Sequence, residues 1–371
     1  MGKIKVLALE PFYGGSHRAF LDQWSEHSGL DFMILGLPDK FWRWRTRHSS
    51  IYFAQKLHEL PADKLDFDLI FCSSMLNLPE FKGLAPRKLR NLPTVVYFHE
   101  NQLEYPIHDA KRRDQNTILV NFKSALASDQ VWFNSAYNRD TFLDNLPDFF
   151  SRMPDEHPLF GIDEIRKKSI IIPPGIEAPR LQNINNNYPH HILWAARWED
   201  DKNPKDFFRA LRFLRKNKVD FKLSVIGEKT TRVPRTFSNA RKEFADNIIN
   251  WGYAESREKY YEILADSDII VSTAIHEFFG LSVVEAIAAG AFPLLPERLA
   301  YPEVLELAKH PERKMFFYRK TAQDLGDKLF DCCKCDRDLW SSAPDQPDEL
   351  VSQYYWPQLA KKMHSKIKKL I

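Results

Sequence analysis

Short apolar runs rich in branched side chains recur along the chain, with segments of helical period between them. That alternation is the pattern of parallel strands joined by crossover helices. In the first half the runs are KVLALE, DFMILGL, DLIFCSS, TVVYFH, QVWFNS and SIIIPP, and in the second HILWAA, KLSVIGE, NIINWG, DIIVST and AFPLLP. They predict an α/β protein of two Rossmann-like units in tandem. Between them PPGIEAPRLQNINNNYPHH breaks both periodicities at Pro173, Pro174, Gly175 and an asparagine run, and is the expected hinge. The expected division is residues 1–178, 188–345 and a final helical segment, 350–371. Tyr354 to Ile371 reads as an amphipathic helix, with Trp356, Leu359, Met363, Ile367 and Leu370 on one face and lysines on the other. Its narrow stripe needs one partner, as in a helix closing across the domains; a membrane-surface helix is the alternative.

At 371 residues the chain exceeds the size at which single cores stop growing, in keeping with two domains. Its 44% hydrophobic and 28% charged residues are those of a globular protein, and no run approaches the roughly 20 apolar residues of a membrane span. No signal peptide is read at the N-terminus, and a cytoplasmic location is expected. Cys332, Cys333 and Cys335 crowd together far from Cys72, without the paired spacing of a zinc site, and read as reduced thiols. The net charge is only +3, but basic residues gather in WRWRTRH, PRKLR, KRR, RKNK and KKMHSKIKKL. Each is compatible with a solvated face; together they permit a polyanionic partner.

Neither unit carries G-x-G-x-x-G, which argues against a dinucleotide enzyme. Ligands of open parallel sheets bind beyond the carboxyl ends of the strands, so the residues there carry the candidate chemistry. After the first strand, Gly14 and Gly15 turn the chain into a helix starting near Ser16. That turn either brings backbone amides to an anion or sugar or is simply capped by Ser16. After TVVYF, the stretch HENQLEYP gathers His99, Glu100, Asn101, Gln102 and Tyr105 where a buried strand ends, which is costly without partners and favours a binding site. In the second unit Arg197 and Lys202 flank an acidic turn past a strand and suit a diphosphate. In STAIHEFFGLSVVEAIAAG, Glu277 ends a loop, Phe278, Phe279, Gly280 and Leu281 turn, and a helix expected to start near Ser282 carries Glu285. The helix N-terminus can receive a phosphate, and Glu285 can hold vicinal hydroxyls.

The Glu277 and Glu285 stretch resembles the nucleotide-sugar motif of the family 4 retaining glycosyltransferases, which have the GT-B fold. EPFYGGSH, WRWR, IYFAQ, FHENQLEYP and FNSAYNRDTF together resemble, more closely, the glycosyltransferase-like domain-containing proteins that include the tRNA-queuosine mannosyltransferases. The resemblance spans essentially the whole chain. It implies two Rossmann-like domains facing a central cleft, an N-terminal one for the acceptor and a C-terminal one for the nucleotide sugar, with the last helix crossing back. It implies mannose transfer from GDP-mannose to the cyclopentenediol of queuosine in the anticodon of a tRNA of the tRNA-Asp type. Arg197 and Lys202 would clamp the donor pyrophosphate, and Glu285 would hold the ribose. Glu277 with the Phe278 to Leu281 amides would hold the sugar, while Gly14, Gly15 and Gly227 would line the donor site. His99 would sit at the anomeric side, and Ser16, His17, Trp42, Arg43, Trp44, Arg45, Glu100, Asn101, Gln102 and Tyr105 would face the acceptor.

No carboxylate pair stands out for a covalent intermediate, so the resemblance implies a front-face displacement. Asp66-Phe67-Asp68 and Asp266-Ser267-Asp268 precede their strands, at the wrong end of the sheet for a site, and neither a catalytic metal nor a cofactor is expected. FWRWRTRH follows the second strand, where arginines can meet phosphates and tryptophans an unstacked base. The alternative is that Trp42 and Trp44 pack one face of an extended segment with the arginines in water. A lipid or polysaccharide acceptor, or a non-catalytic RNA-binding protein with a transferase fold, are the alternatives.

Overall fold

Each of these apolar runs becomes a strand of one of two parallel sheets in a computed structural model, which describes residues 2–104, 114–179, 188–229, 233–319, 321–335 and 338–371. One unit comprises Met1–Gly175 with Trp356–Ile371, and the other Ile176–Tyr355. The first sheet holds β1 (Lys5–Glu10), β2 (Asp31–Gly36), β3 (Leu69–Ser73), β4 (Thr94–Phe98), β5 (Gln130–Phe133) and β6 (Ser169–Ile171). Their order across it is β2-β1-β3-β4-β5-β6, with all neighbours parallel. The second holds β7 (His191–Ala195), β8 (Lys222–Ile226), β9 (Ile248–Gly252), β10 (Ile269–Val271), β11 (Phe292–Pro296) and β12 (Phe317–Tyr318). Here the order is β12-β11-β10-β7-β8-β9, again parallel throughout.

Helices connect the strands of the first unit: α1 (Gly15–Ser28), α2 (Trp42–His58), α3 (Leu78–Leu84), α4 (Gln115–Ala127), α5 (Ala136–Phe150) and α6 (Phe160–Lys167). The second unit has α7 (Pro204–Lys216), α8 (Arg235–Glu243), α9 (Arg257–Ala265), α10 (Leu281–Ala288), α11 (Tyr301–Val304), α12 (Ala322–Lys334) and α13 (Pro347–Val351). The last helix, α14 (Trp356–Lys368), returns to the first unit.

Alternate residues of β1 feed the two faces of its sheet, as the strand period requires. Leu7 and Leu9 join Phe53, Leu57, Ile118 and Phe142 on one side. Val6 and Ala8 join Phe20, Trp24 and Trp132 on the other, where Trp356, Leu359, Met363 and Ile367 of α14 complete the core. The expected apolar stripe is therefore taken up by the first unit: the Trp356 indole donates to Gln23 at 2.6 Å. No helix among the described residues is long and apolar enough to cross a membrane.

The aspartate triplets lie at the amino ends of the sheets. Asp68 and Asp268 accept the backbone N–H of Lys5 and His191, at 2.8 and 2.7 Å, so each pins the start of a neighbouring strand. All four cysteines are free thiols.

Two local expectations are corrected. FWRWRTRH is not extended but forms the N-cap and first turns of α2, because Thr46, Ser49 and Ser50 supply the inward face there in place of apolar residues. Helix α1 starts at Gly15 with Gly14 as its N-cap, and Ser16 does not cap it.

Candidate active site

In the second unit the site grows from the carboxyl ends of β7 and β10. Past β7 the chain makes a short turn of 3-10 helix, Asp200–Lys202, which drives Lys202 inward until it is only 6% exposed. The buried ammonium donates to the carbonyl of His276 at 2.7 Å and lies 3.2 Å from Asp201 and 3.3 Å from Glu277. Burial opposes its charge, but Glu277 and Asp201 outweigh burial and hold its pKa above the ordinary lysine value. Burial likewise pushes Glu277 up, and Lys202 with the Phe279 amide overcomes it, so the carboxylate titrates below its usual range. Asp201 is also depressed, with burial opposed by His276 and Lys202. A buried lysine thus stays charged between two carboxylates that stay charged.

Arg197 is more open, with a 3.5 Å ion pair to Glu199, and near enough for its charge to oppose that of Lys202. The backbone under it depends on Gly227, which follows β8 at φ 149°; a Cβ there would stand 1.8 Å from the Ala196 carbonyl oxygen. No other residue fits without moving the peptide that leads into Arg197.

Glu277 reaches back to its own turn: Oε1 accepts from the amides of Phe278 at 3.1 Å and Phe279 at 3.5 Å. This corrects the expectation that the amides of Phe278 to Leu281 all face the sugar, since two of them already serve Glu277. The rings of Phe278 and Phe279 are buried, against His276 and Tyr354. Helix α10 follows from Gly280, a left-handed N-cap, with no side-chain cap and no acidic residue in its first turn. It begins one residue before the expected Ser282, and its N-terminus favours an anion. Glu285, half-buried in α10, accepts a 2.7 Å hydrogen bond from the Tyr260 hydroxyl. Burial raises its pKa against the pull of Tyr260 and Arg257.

In the first unit the carboxyl ends of β1 and β4 meet α1. Gly14 lies so close to Asp39 that a Cβ would stand 2.1 Å from a carboxylate oxygen, while Gly15 and Ser16 are exposed. His17, one turn into α1, has Nδ1 3.3 Å from Oε1 of Glu10 and stacks on His99 with ring centroids 3.9 Å apart. Phe20 and Tyr97 close on His99 edge-on at 5.3 and 4.6 Å. Burial, and then the charge of His17, drive the His99 pKa well below the ordinary histidine value, so the ring is neutral.

Glu10, the fully buried last residue of β1, was not foreseen. It accepts from Ser73 and from the Phe12 amide, both at 2.9 Å. One oxygen of Glu10 and one ring nitrogen each of His17 and His99 lie within 4.8 Å of one another, a group with the donor set for a divalent ion. Asp201 and His276 were missed although they adjoin Lys202 and Glu277, because sequence does not say which neighbours turn inward, and Tyr260 was missed because nothing in its own neighbourhood of sequence marks it.

Asn101 is corrected. It is fully buried, donates to Asn138 at 2.9 Å and accepts from the Glu104 amide at 3.0 Å, so its side chain braces the loop and does not face an acceptor. Glu100 and Gln102 are half-buried and bond to each other at 3.0 Å. Tyr105 lies outside the described residues. On α2, Trp42 is half-buried under Arg43, whose guanidinium carbon sits 4.4 Å from the ring centre, and Arg45 donates to the Lys40 carbonyl at 3.2 Å. Trp44 is 58% exposed.

Solved structures share this fold. HepE of Anabaena in complex with UDP superposes with a TM-score of 0.68 at 13% identity, each chain covered completely. Sucrose-phosphate synthase from Thermosynechococcus elongatus gives 0.74 at 13% identity, covering 100% of this chain and 99% of that one. Two parallel-sheet Rossmann-like domains of this kind define the GT-B class, and residues 178–339 match the glycosyl transferases group 1 family. Residues 5–176 match the family described as tRNA-queuosine alpha-mannosyltransferase N-terminal. The tRNA-queuosine alpha-mannosyltransferase of Drosophila melanogaster is 36% identical over 349 residues, 90% of this chain and 88% of its own. The chain belongs to the tRNA-queuosine alpha-mannosyltransferase family and is a glycosyltransferase enzyme.

Proposed function

We propose that the protein transfers mannose, with retention, from GDP-mannose to a hydroxyl of the cyclopentenediol of queuosine in the anticodon of a tRNA, of the tRNA-Asp type, in the cytoplasm. The observation that carries this reading is the 36% identity to the Drosophila enzyme, sustained over 90% of the chain. The second unit supplies a physical route. An ammonium has three N–H donors, and those of Lys202 face His276, Asp201 and Glu277. A diphosphate oxygen displaces Glu277, the longest of the three contacts. The released Oε2 of Glu277 then accepts from hydroxyls of the hexose, while Oε1 stays anchored on the Phe278 and Phe279 amides.

The bond from the anomeric carbon to the diphosphate breaks as the acceptor oxygen forms its own bond on the same face. The proton of the acceptor hydroxyl passes to a departing phosphate oxygen. Arg197 and Lys202 stabilise the charge that grows there, and Glu285, oriented by Tyr260, holds the ribose hydroxyls. Neutral His99 positions the reactants and takes no proton. Gly227 keeps the peptide leading into Arg197 in place, Gly14 and Gly15 shape the turn into α1, and Ser16, His17, Glu100, Gln102, Arg43, Trp44 and Arg45 serve the acceptor, with Trp42 supporting Arg43 from beneath.

This scheme routes no step through a metal or cofactor. Labelled GDP-mannose incubated with the protein and queuosine-containing tRNA should raise the nucleoside by the mass of one hexose, in EDTA as in its absence. Label appearing only in a lipid extract, or none at all, overturns the reading. Loss of transfer in EDTA that zinc restores overturns the metal-free scheme, with Glu10, His17 and His99 the first group to substitute.

A further inference from the structure

Helix α2 is built against the rule for surface helices. The side turned to the core carries Thr46, Ser49 and Ser50 beside Phe53, Ala54 and Leu57. The side turned to solvent carries Trp44, His48, Ile51 and Tyr52, which successive steps of about 100° place together on one stripe. Trp44, Ile51 and Tyr52 are 58%, 52% and 36% exposed. Two of the rings stack, Trp44 and His48 with centroids 4.7 Å apart and planes 8° apart, and Tyr52 follows at 6.5 Å from His48, tilted by 53°. Nothing in the folding of the first unit calls for an aromatic ladder facing water.

The charge on α2 is equally misplaced for helix stability. Its 17 residues include Arg43, Arg45, Arg47 and Lys56 and no carboxylate. Three of the four cations sit in the first two turns, where the positive end of the helix dipole repels them. Phe41, the N-cap, is left-handed and 75% exposed, with no side-chain cap on the amides beyond it. Helix end and arginines reinforce one another as an anion site, flanking a row of flat apolar faces. A single-stranded nucleic acid has the complementary chemistry, with phosphates along one edge and unstacked bases along the other.

We infer that the solvent face of α2 is a stacking platform for a single-stranded stretch of RNA. Bases lie on the outer faces of the Trp44–His48 stack and on Tyr52, and phosphates meet Arg43, the open end of the helix and Arg47, which exchanges its 3.0 Å ion pair with Asp114 for a phosphate. This rests on the tRNA reading above and extends it from FWRWRTRH along the helix to Ile51 and Tyr52. Trp42, half-buried beneath Arg43, is not part of the platform.

The test uses the full chain and a fluorescent anticodon stem-loop without queuosine, so that binding is read apart from transfer. The double variant Trp44→Ala with Tyr52→Ala removes the two outward rings, and a denaturant melt of the variant confirms that the first unit stays folded. It should weaken stem-loop binding about tenfold or more, leave the salt dependence unchanged and leave GDP binding unchanged. Arg43→Ala with Arg47→Ala should weaken binding and lower the slope of log affinity against log salt by about 1.4, two single-strand phosphate contacts. A blunt-ended RNA duplex of equal length should not distinguish wild type from the aromatic variant. Unchanged stem-loop affinity in the aromatic variant overturns the inference, even where mannose transfer to tRNA proceeds. Wild type that dimerises through this face, with the aromatic variant monomeric and binding RNA normally, overturns it in favour of self-association. Wild type that binds the stem-loop in this manner and yet transfers no mannose supports the platform and sinks the proposed function alone.

Discussion

Lys202 shows what a single buried side chain decides. Its ammonium is the counter-charge for both Asp201 and Glu277. Lys202→Met should therefore cost about 3 kcal/mol of stability on top of abolishing donor binding, because two carboxylates lose their cation. Denaturant melts and GDP titration check the two effects separately. Asp201 and Glu277 both titrate below their ordinary values in the folded chain. The sign follows from proton counting. Below about pH 4 the unfolded chain takes up protons that the folded one refuses, so this stabilisation, full at neutral pH, is lost as acid approaches the depressed values. Asp201→Asn should flatten the fall in stability between pH 5 and about pH 3, and an equally steep fall in the variant would contradict the coupling. Lys202 and Glu277 were legible in the sequence because each follows an apolar run at a strand end. Glu10 was not: it belongs to the apolar-looking KVLALE, and its partners Ser73, His17 and His99 come from three other places in the chain. Asn101 misled for the converse reason, since a polar residue after a buried strand can serve the framework as readily as a ligand.

At the scale of elements, the junction of β7 and β8 is the tightest constraint on the donor side. Gly227→Ala places a methyl group on the Ala196 carbonyl and must push the two strand ends apart. A loss of at least about 2 kcal/mol, with a rise in the apparent Kd for GDP, is expected from urea melts and donor titration. Normal stability and normal affinity together would show that the peptide before Arg197 can shift freely. Most of the longer strands described were readable because parallel strands covered on both faces are continuously apolar. The twelfth, Phe317–Tyr318, is two residues long and offers no period to detect. Helix α2 was unreadable for a stronger reason: with serine and threonine inward and tryptophan, isoleucine and tyrosine outward, its pattern is nearly the reverse of the one that announces a helix.

For the molecule as a whole, the chain crosses from the first unit to the second and then returns, and the return is energetically large. Trp356, Leu359, Met363 and Ile367 are at most 2% exposed, and their burial is worth on the order of 6–12 kcal/mol, comparable with the stability of an entire domain. Deleting residues 356–371 should open the first unit to protease while the second remains resistant, as limited digestion and mass mapping would show. Equal resistance of both would mean that the first unit is complete without its last helix. The return also sets an order of assembly on the ribosome. Residues up to Gly175 emerge first, but the helix that covers Phe20 and Trp24 is translated only after all of Ile176–Tyr355. The half of the protein made first is thus the half finished last, waiting with an aromatic face uncovered for the time needed to synthesise another 180 residues, and its yield in a cell depends on what shields that face meanwhile.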